Sequence, residues 1–424
     1  MLDLLKSEVR LKLGVEIKNR GDCQLLSDAI MLDLGETLNY NTLRRLFNVD
    51  KKSEVKPSRN TLDVLSCFLG FRGYNQFSKQ VLKYGVNGYQ DEWYLILNSG
   101  DGNSILQYLE ERRGHQNFTG LFIRSIRELI LLKKIQTINL IFNSKNLGLE
   151  RFSYSESVYV GNAIGILLRD FNLPSTDNII LLRNKRFVES VLSIFVDYSS
   201  LNSGYGSIIL SAQKSSKYLS IHDRIFFKCL NYLRLYLMNE RLENELDVDF
   251  MTFEGHPILV GRIAAIEILN CESDRFDRIR IFEKLHVRYA KEKVNRIEYF
   301  YEIKIVALIL SDFELMEMLD SVHSESRVTQ QYQISHNQLF CIVKLMTSIA
   351  SQNQNETSKI LSQIKPDLWV ASYYEFFNLF YQIGLYHSAN KVDEREKHRT
   401  LYLEISEKMN YEKFDENYLK NYFV

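Results

Sequence analysis

The sequence predicts an all-α protein: a small bundle of short helices at the N-terminus, then a long array of stacked helical hairpins. Three observations predict it. Only 4 prolines occur in 424 residues, too few for a sandwich of many short strands joined by turns. Apolar residues recur at helical spacing through most of the chain. The composition is globular, with 45% apolar and 25% charged residues, and it is not that of a disordered tail.

Leu2, Leu5, Val9 and Leu13 make the stripe of a first helix, which Gly14 closes. Asp22 reads as the cap of a second, carrying Leu25, Leu26, Ala29, Ile30 and Leu32, with Gly35 past its end. Thr42-Leu43-Arg44-Arg45-Leu46-Phe47 forms a short third helix. A polar loop runs from Asn48 to Pro57, and Ser58 then caps a fourth helix whose Leu62, Leu65, Phe68 and Leu69 share one face. The segment from Gly70 to Phe77 turns into a last short helix. These elements define a domain over 1–80, and Tyr84-Gly85-Val86-Asn87-Gly88 reads as a hinge.

From 89 to 424, apolar helical segments alternate with short polar breaks. The clearest are Phe122–Phe142, Phe187–Val196, Ile225–Met238, Ile258–Leu269, Ile297–Leu310 and Leu339–Ile349. Breaks fall at 172–175, 201–204, 254–257 and 351–354, so a subdivision near 174 and 255 is expected. Stacked helical hairpins, an α-solenoid, follow as the architecture. No fixed repeat period emerges. Tyr299-Phe300-Tyr301 and Tyr373-Tyr374-Glu375-Phe376-Phe377 read as aromatic packing between helices rather than a ligand platform. Asp393-Glu394-Arg395-Glu396-Lys397-His398-Arg399 reads as an exposed helix start laced with ion pairs.

Charge and cysteine content bound the function. The 53 Lys+Arg balance 53 Asp+Glu, which excludes a protein basic all over that coats nucleic acid. The five cysteines are scattered, with no C-x-x-C pair, so neither a disulfide framework nor a zinc knuckle is expected; buried thiols are. No apolar run approaches 18 residues and the start is no signal peptide, so a cytoplasmic protein without a membrane span is expected.

Positive charge gathers locally. Residues 41–59 hold six Lys/Arg against two acids, a net +4, while the chain as a whole is neutral. A helix, a short turn and a second helix bearing Arg44 and Arg45 make a helix-turn-helix order. In that arrangement Asn39, Asn41, Thr42 and Arg45 face base edges or phosphates, and Leu43 and Leu46 hold the helix to its body. Arg44, Lys51, Lys52 and Arg59 complete the candidate DNA-binding set.

Tyr40 to Phe47, then Lys56 to Leu65, then Phe68-Leu69-Gly70-Phe71 resemble the phage-repressor-type helix-turn-helix. A variant at the N-terminus of many poorly characterised bacterial proteins is closer still. The resemblance covers about a fifth of the chain. It implies a small DNA-binding-type domain with Asn41, Thr42, Arg44 and Arg45 on the recognition helix. The long Lys-rich segment from Leu46 to Ser58 departs from ordinary repressors. A helix-turn-helix head on a tetratricopeptide-like body resembles bacterial transcription regulators in architecture alone, since the tetratricopeptide consensus is not visible.

Signs of an enzyme are missing. There is no G-x-x-x-x-G-K-[ST] loop, no G-x-G-x-x-G at a strand–helix junction and no H-E-x-x-H. Asp247-Val248-Asp249 reads as a solvated loop, and the eight histidines are dispersed. The expectation is a non-enzymatic regulator without cofactor or metal. Its head meets double-stranded DNA, and its array binds a protein or peptide partner or a second copy of itself. The alternative is a scaffold or adaptor whose head docks onto protein.

Overall fold

The computed structural model describes residues 2–49, 57–78, 93–97, 101–115, 117–171, 173–240, 246–271, 273–291, 296–325 and 333–424. Among them every regular element is helical. The expected hinge at 84–88 lies outside the described residues, as do Lys51 and Lys52. The chain divides into two compact units, Met1–Phe122 and Ile123–Val424.

The first unit opens with α1 (Leu2–Leu13), α2 (Arg20–Leu34), α3 (Tyr40–Leu46) and α4 (Arg59–Phe68). Gly14 follows α1 at positive φ, as the pattern predicts. The cap of α2 is Asn19, not Asp22. The side chain of Asn19 accepts the Asp22 N–H, and Asp22 Oδ2 accepts the Asn19 N–H in return. Asp22 is thus the acidic partner of a capping box at the third helical position, and the helix begins three residues earlier than it signals. Gly35 ends α2 at φ 69°, a conformation in which an L side chain is strained. Asn39 caps α3, and Ser58 caps α4 as expected.

Leu5, Val9, Leu26, Ile30, Leu43, Leu46, Leu65, Phe68 and Phe77 meet in one core. At 7 residues α3 is too short to be stable alone, so Leu43 and Leu46 hold it there. Further along the unit, Asp101 caps α5 (Gly102–Glu111), where Arg112 lies 3.7 Å over the Tyr108 ring.

The division between units falls inside α6 (Phe118–Leu131). There follow α7 (Ile135–Asn143), α8 (Tyr154–Asp170), α9 (Ser175–Arg183), α10 (Gly204–Lys214) and α11 (Ile221–Leu237). Next come α12 (Pro257–Asn270), α13 (Arg275–Tyr289), α14 (Tyr301–Leu310), α15 (Phe313–Glu325), α16 (Gln333–Ala350) and α17 (Gln354–Gln363). The chain closes with α18 (Tyr374–Ser388), α19 (Val392–Met409) and α20 (Glu416–Asn421). Several helix pairs pack closely: α10 on α11, α12 on α14, α15 on α16, α16 on α17 and α18 on α19.

Three segments expected as single helices are divided. Phe122–Phe142 breaks at Lys133, which has φ 55°. The Lys133 N–H bonds to the Ile130 carbonyl and the Lys134 N–H to the Leu129 carbonyl, the left-handed helix stop that glycine usually serves. Ile297–Leu310 breaks at Phe300, between Arg296–Tyr299 and α14. Phe187–Val196 is a single α turn, Lys185–Phe187, followed by the π-helical stretch Val188–Leu192. There Phe195 packs onto α8 where Gly165 has no side chain: an added Cβ would lie 2.1 Å from the ring. A wide turn beside a close helix contact is a common use of π geometry.

The cysteines form no disulfides, and their burial is only partly as expected: Cys23 and Cys229 are buried, while Cys67, Cys271 and Cys341 are half-buried. The aromatic clusters form core in part: Phe300, Phe376 and Phe377 are fully buried, Tyr373 is half-buried and Tyr374 is exposed. The helix start at 392 carries the expected ion pairs, Lys391–Glu394 at 3.5 Å and Arg399–Glu416 at 2.9 Å.

Long-range ties cross the second unit. Tyr411 Oη accepts the Leu201 N–H at 2.8 Å and donates to the Tyr198 carbonyl at 2.7 Å. Asn202 donates to the Asn410 carbonyl at 2.9 Å, and Tyr422 to the Leu308 carbonyl at 2.8 Å. These bonds join elements between 114 and 213 residues apart in sequence.

Candidate functional site

The expected DNA-binding residues are placed by α3. At about 100° per residue, Leu43 and Leu46 share the buried side of this helix, and Asn41, Arg44 and Arg45 lie on the opposite side with Thr42 at its flank. Burial follows that wheel: Arg45 is exposed, and Asn41, Thr42 and Arg44 are half-buried. The Asn39 side chain accepts the Asn41 N–H at 2.8 Å, fixing the helix start. Arg59 is exposed on a different helix, in the first turn of α4, 4.0 Å from Asp63.

Arg20 was missed in the sequence because it precedes the cap signal at Asp22. It opens α2, lies 4.7 Å over the Tyr40 ring and donates to the Tyr40 hydroxyl at 2.8 Å. A second cation therefore touches the first residue of α3. An exposed Arg two or three residues before a helix-opening acid would have been the signal.

The second unit holds a buried polar network that no motif announced. Arg262 in α12 is 4% exposed and meets Glu302 of α14 at 2.7 Å. The other Glu302 oxygen accepts the Tyr198 hydroxyl. The Arg262 guanidinium also lies 4.7 Å over the Phe226 ring. Beside it, Arg169 reaches Asp197 at 3.3 Å and the Ala371 carbonyl at 3.1 Å. Burial pushes Asp197 up to about 7 against the pull of Arg169. Lys304 of α14 is 1% exposed, and burial pushes its amine down to about 7, with Asp320 acting against the shift. His336 packs its ring 4.5 Å from that of Tyr301.

Arg262, Glu302 and Tyr198 engage one another, and Arg169 engages Asp197. The open groove of about 610 Å³ at the ends of α11 and α12 is lined by Tyr236, Asn239, Glu240, Leu269, Asn270, Ser273 and Lys413, and none of the network reaches it. The network ties α8, α12, α14 and the segment at 371 together. Asp249, in the loop read as solvated, is exposed and accepts the Met251 N–H. Among the described residues, no group of three His, Cys, Asp or Glu side chains is arranged to hold a metal ion. No helix among them is long and apolar enough to cross a membrane. Comparison of the chain with protein-family models, with curated proteins and with solved structures finds no match.

Proposed function

We propose that the N-terminal unit binds double-stranded DNA through α3 and that the second unit is a helical array carrying a protein or peptide partner, making the chain a DNA-binding regulator. The observation that supports this reading is the outward face of α3. Asn41, Arg44 and Arg45 share it with Thr42, Arg20 stands against its first residue, and two buried leucines fix it from behind. Arg and Asn are the side chains best suited to phosphates and base edges. The reading contains no catalytic step; Arg262 and Arg169 pair with Glu302 and Asp197.

Fluorescence anisotropy with labelled duplex DNA at several salt concentrations tests it. Affinity falls as salt rises, and the Arg44→Ala/Arg45→Ala variant weakens binding by about tenfold or more. Salt-independent binding, or equal binding by the variant, refutes the assignment.

A second reading, a docking head for another protein, has one observation in its favour. Leu25, Met31 and Leu32 are exposed on α2, Leu32 by 89%. Stoichiometric capture of a protein through residues 1–80, unaffected by nuclease, would support it over the first.

A further inference from the structure

Among the described residues, none covers an outer stripe of helix α13. Its inner face is anchored: Ile281, Phe282, Leu285 and Tyr289 are buried, Arg278 meets Asp312 at 2.7 Å, and Arg288 donates to the Phe250 carbonyl at 2.6 Å. The exposed face carries Phe276, Arg280, Glu283 and Val287. Phe276 is 85% exposed and Val287 74%. Successive steps of four, three and four residues keep these side chains on one line, as in the seam of a two-helix coiled coil. The line spans about 16 Å at ~1.5 Å per residue.

Its order is self-complementary. Phe276 and Val287 lie equally far from the midpoint between residues 281 and 282, and so do Arg280 and Glu283. Two copies of α13 laid antiparallel about that midpoint bring Phe276 of each against Val287 of the other, and Arg280 of each against Glu283 of the other. A parallel pairing would set Arg280 against Arg280 and Glu283 against Glu283, like on like. A two-fold contact must be complementary to itself, and this stripe is so in one direction only. What distinguishes this stripe is the self-complementary order in which its two exposed apolar side chains flank its two opposite charges.

We infer that α13 is a homodimer contact, in which the Phe276–Arg280–Glu283–Val287 stripe of one copy pairs antiparallel with the same stripe of a second copy. The inference is independent of DNA binding, since it uses no residue of the N-terminal unit. A contact of one helix per subunit lies at the small end of specific interfaces, so the dimer forms with a dissociation constant of roughly 1–100 μM.

Sedimentation velocity of the full chain over a concentration series tests it. The wild-type protein shifts from monomer to dimer. Arg280→Glu and Glu283→Arg each create two like-charge contacts per dimer and raise the dissociation constant about tenfold. The double variant Arg280→Glu/Glu283→Arg restores dimerisation, because the swapped charges again oppose. Phe276→Ser also weakens it. These side chains are exposed, and circular dichroism verifies that each variant stays folded. A wild-type chain that is monomeric up to about 300 μM overturns the inference, and so does a dimer indifferent to the single reversals. Single reversals that weaken the dimer without rescue by the double variant overturn the antiparallel register.

Discussion

Arg262 keeps its charge inside the second unit because Glu302 lies 2.7 Å away and Tyr198 satisfies the other carboxylate oxygen. Removing one partner strands the other in a dry core. Arg262→Met is therefore expected to cost about 3–5 kcal/mol in urea unfolding, whereas Arg262→Met/Glu302→Leu recovers much of that loss. Equal loss in the single and double variants would show that the ion pair is not the reason. The residue types were visible in the sequence: one Arg inside the apolar run Ile258–Leu269, and Glu302 and Lys304 inside another. Their pairing was not, because partners 40 residues apart are joined by packing and no local pattern records it. The α3 face was more legible. Alternation of Leu43 and Leu46 with Arg44 and Arg45 is a local signal, whereas the contact of Arg20 with Tyr40 arises only when α2 and α3 pack.

At the scale of the element, boundaries with a strong local signal were easier to read than stops taken by other residues. Ser58 and Gly35 act as their chemistry dictates. Stops elsewhere are taken by residues with no such reputation: Asn48, Lys133, Asn239, Ser311, Gln352 and Asn410 all adopt positive φ between 49° and 56°. The asparagines tolerate this conformation, but Lys133 and Gln352 adopt it because the helices that follow demand the turn. That is why Phe122–Phe142 read as one helix. Lys133 is exposed, so its side chain contributes little packing. Lys133→Gly is expected to raise stability by about 0.5–1 kcal/mol, measured by the thermal midpoint. A lowered midpoint would mean that the greater freedom of glycine in the unfolded chain outweighs the relieved strain.

For the whole molecule, the balance of 53 positive and 53 negative residues hides charges that folding treats very differently. The buried Lys304 amine titrates near 7 in the folded chain, well below the ordinary lysine range. Between that value and its ordinary one, the unfolded chain holds a proton that the folded chain does not. Stability from this group therefore rises with pH above 7 and is lost as pH falls through 7. Asp197 and Glu267, both pushed up to about 7 chiefly by burial, oppose it near pH 7, and the thiols of Cys67, Cys229, Cys271 and Cys341, held up chiefly by burial, oppose it at higher pH. Urea midpoints between pH 7 and about 8.5 should rise by at most ~1.4 kcal/mol per pH unit through Lys304, and Lys304→Met should flatten that slope. An unchanged slope in the variant would assign it to other groups. The all-α class was legible from proline scarcity and apolar spacing, since both are properties of the local chain. The division into Met1–Phe122 and Ile123–Val424 was not, because it follows contacts rather than composition.

Tyr411, which bridges Leu201 and Tyr198, has a consequence for synthesis. Its two partners emerge from the ribosome more than 200 residues before it does. At about 5–20 residues per second, that interval is roughly 10–40 s. Throughout it the Tyr198 carbonyl and the Leu201 amide have no Tyr411 to bond, and the apolar surface around them awaits the aromatic residues of α18. For that interval the second unit cannot close these bonds, and a ribosome that stalls before residue 411 leaves them unmade.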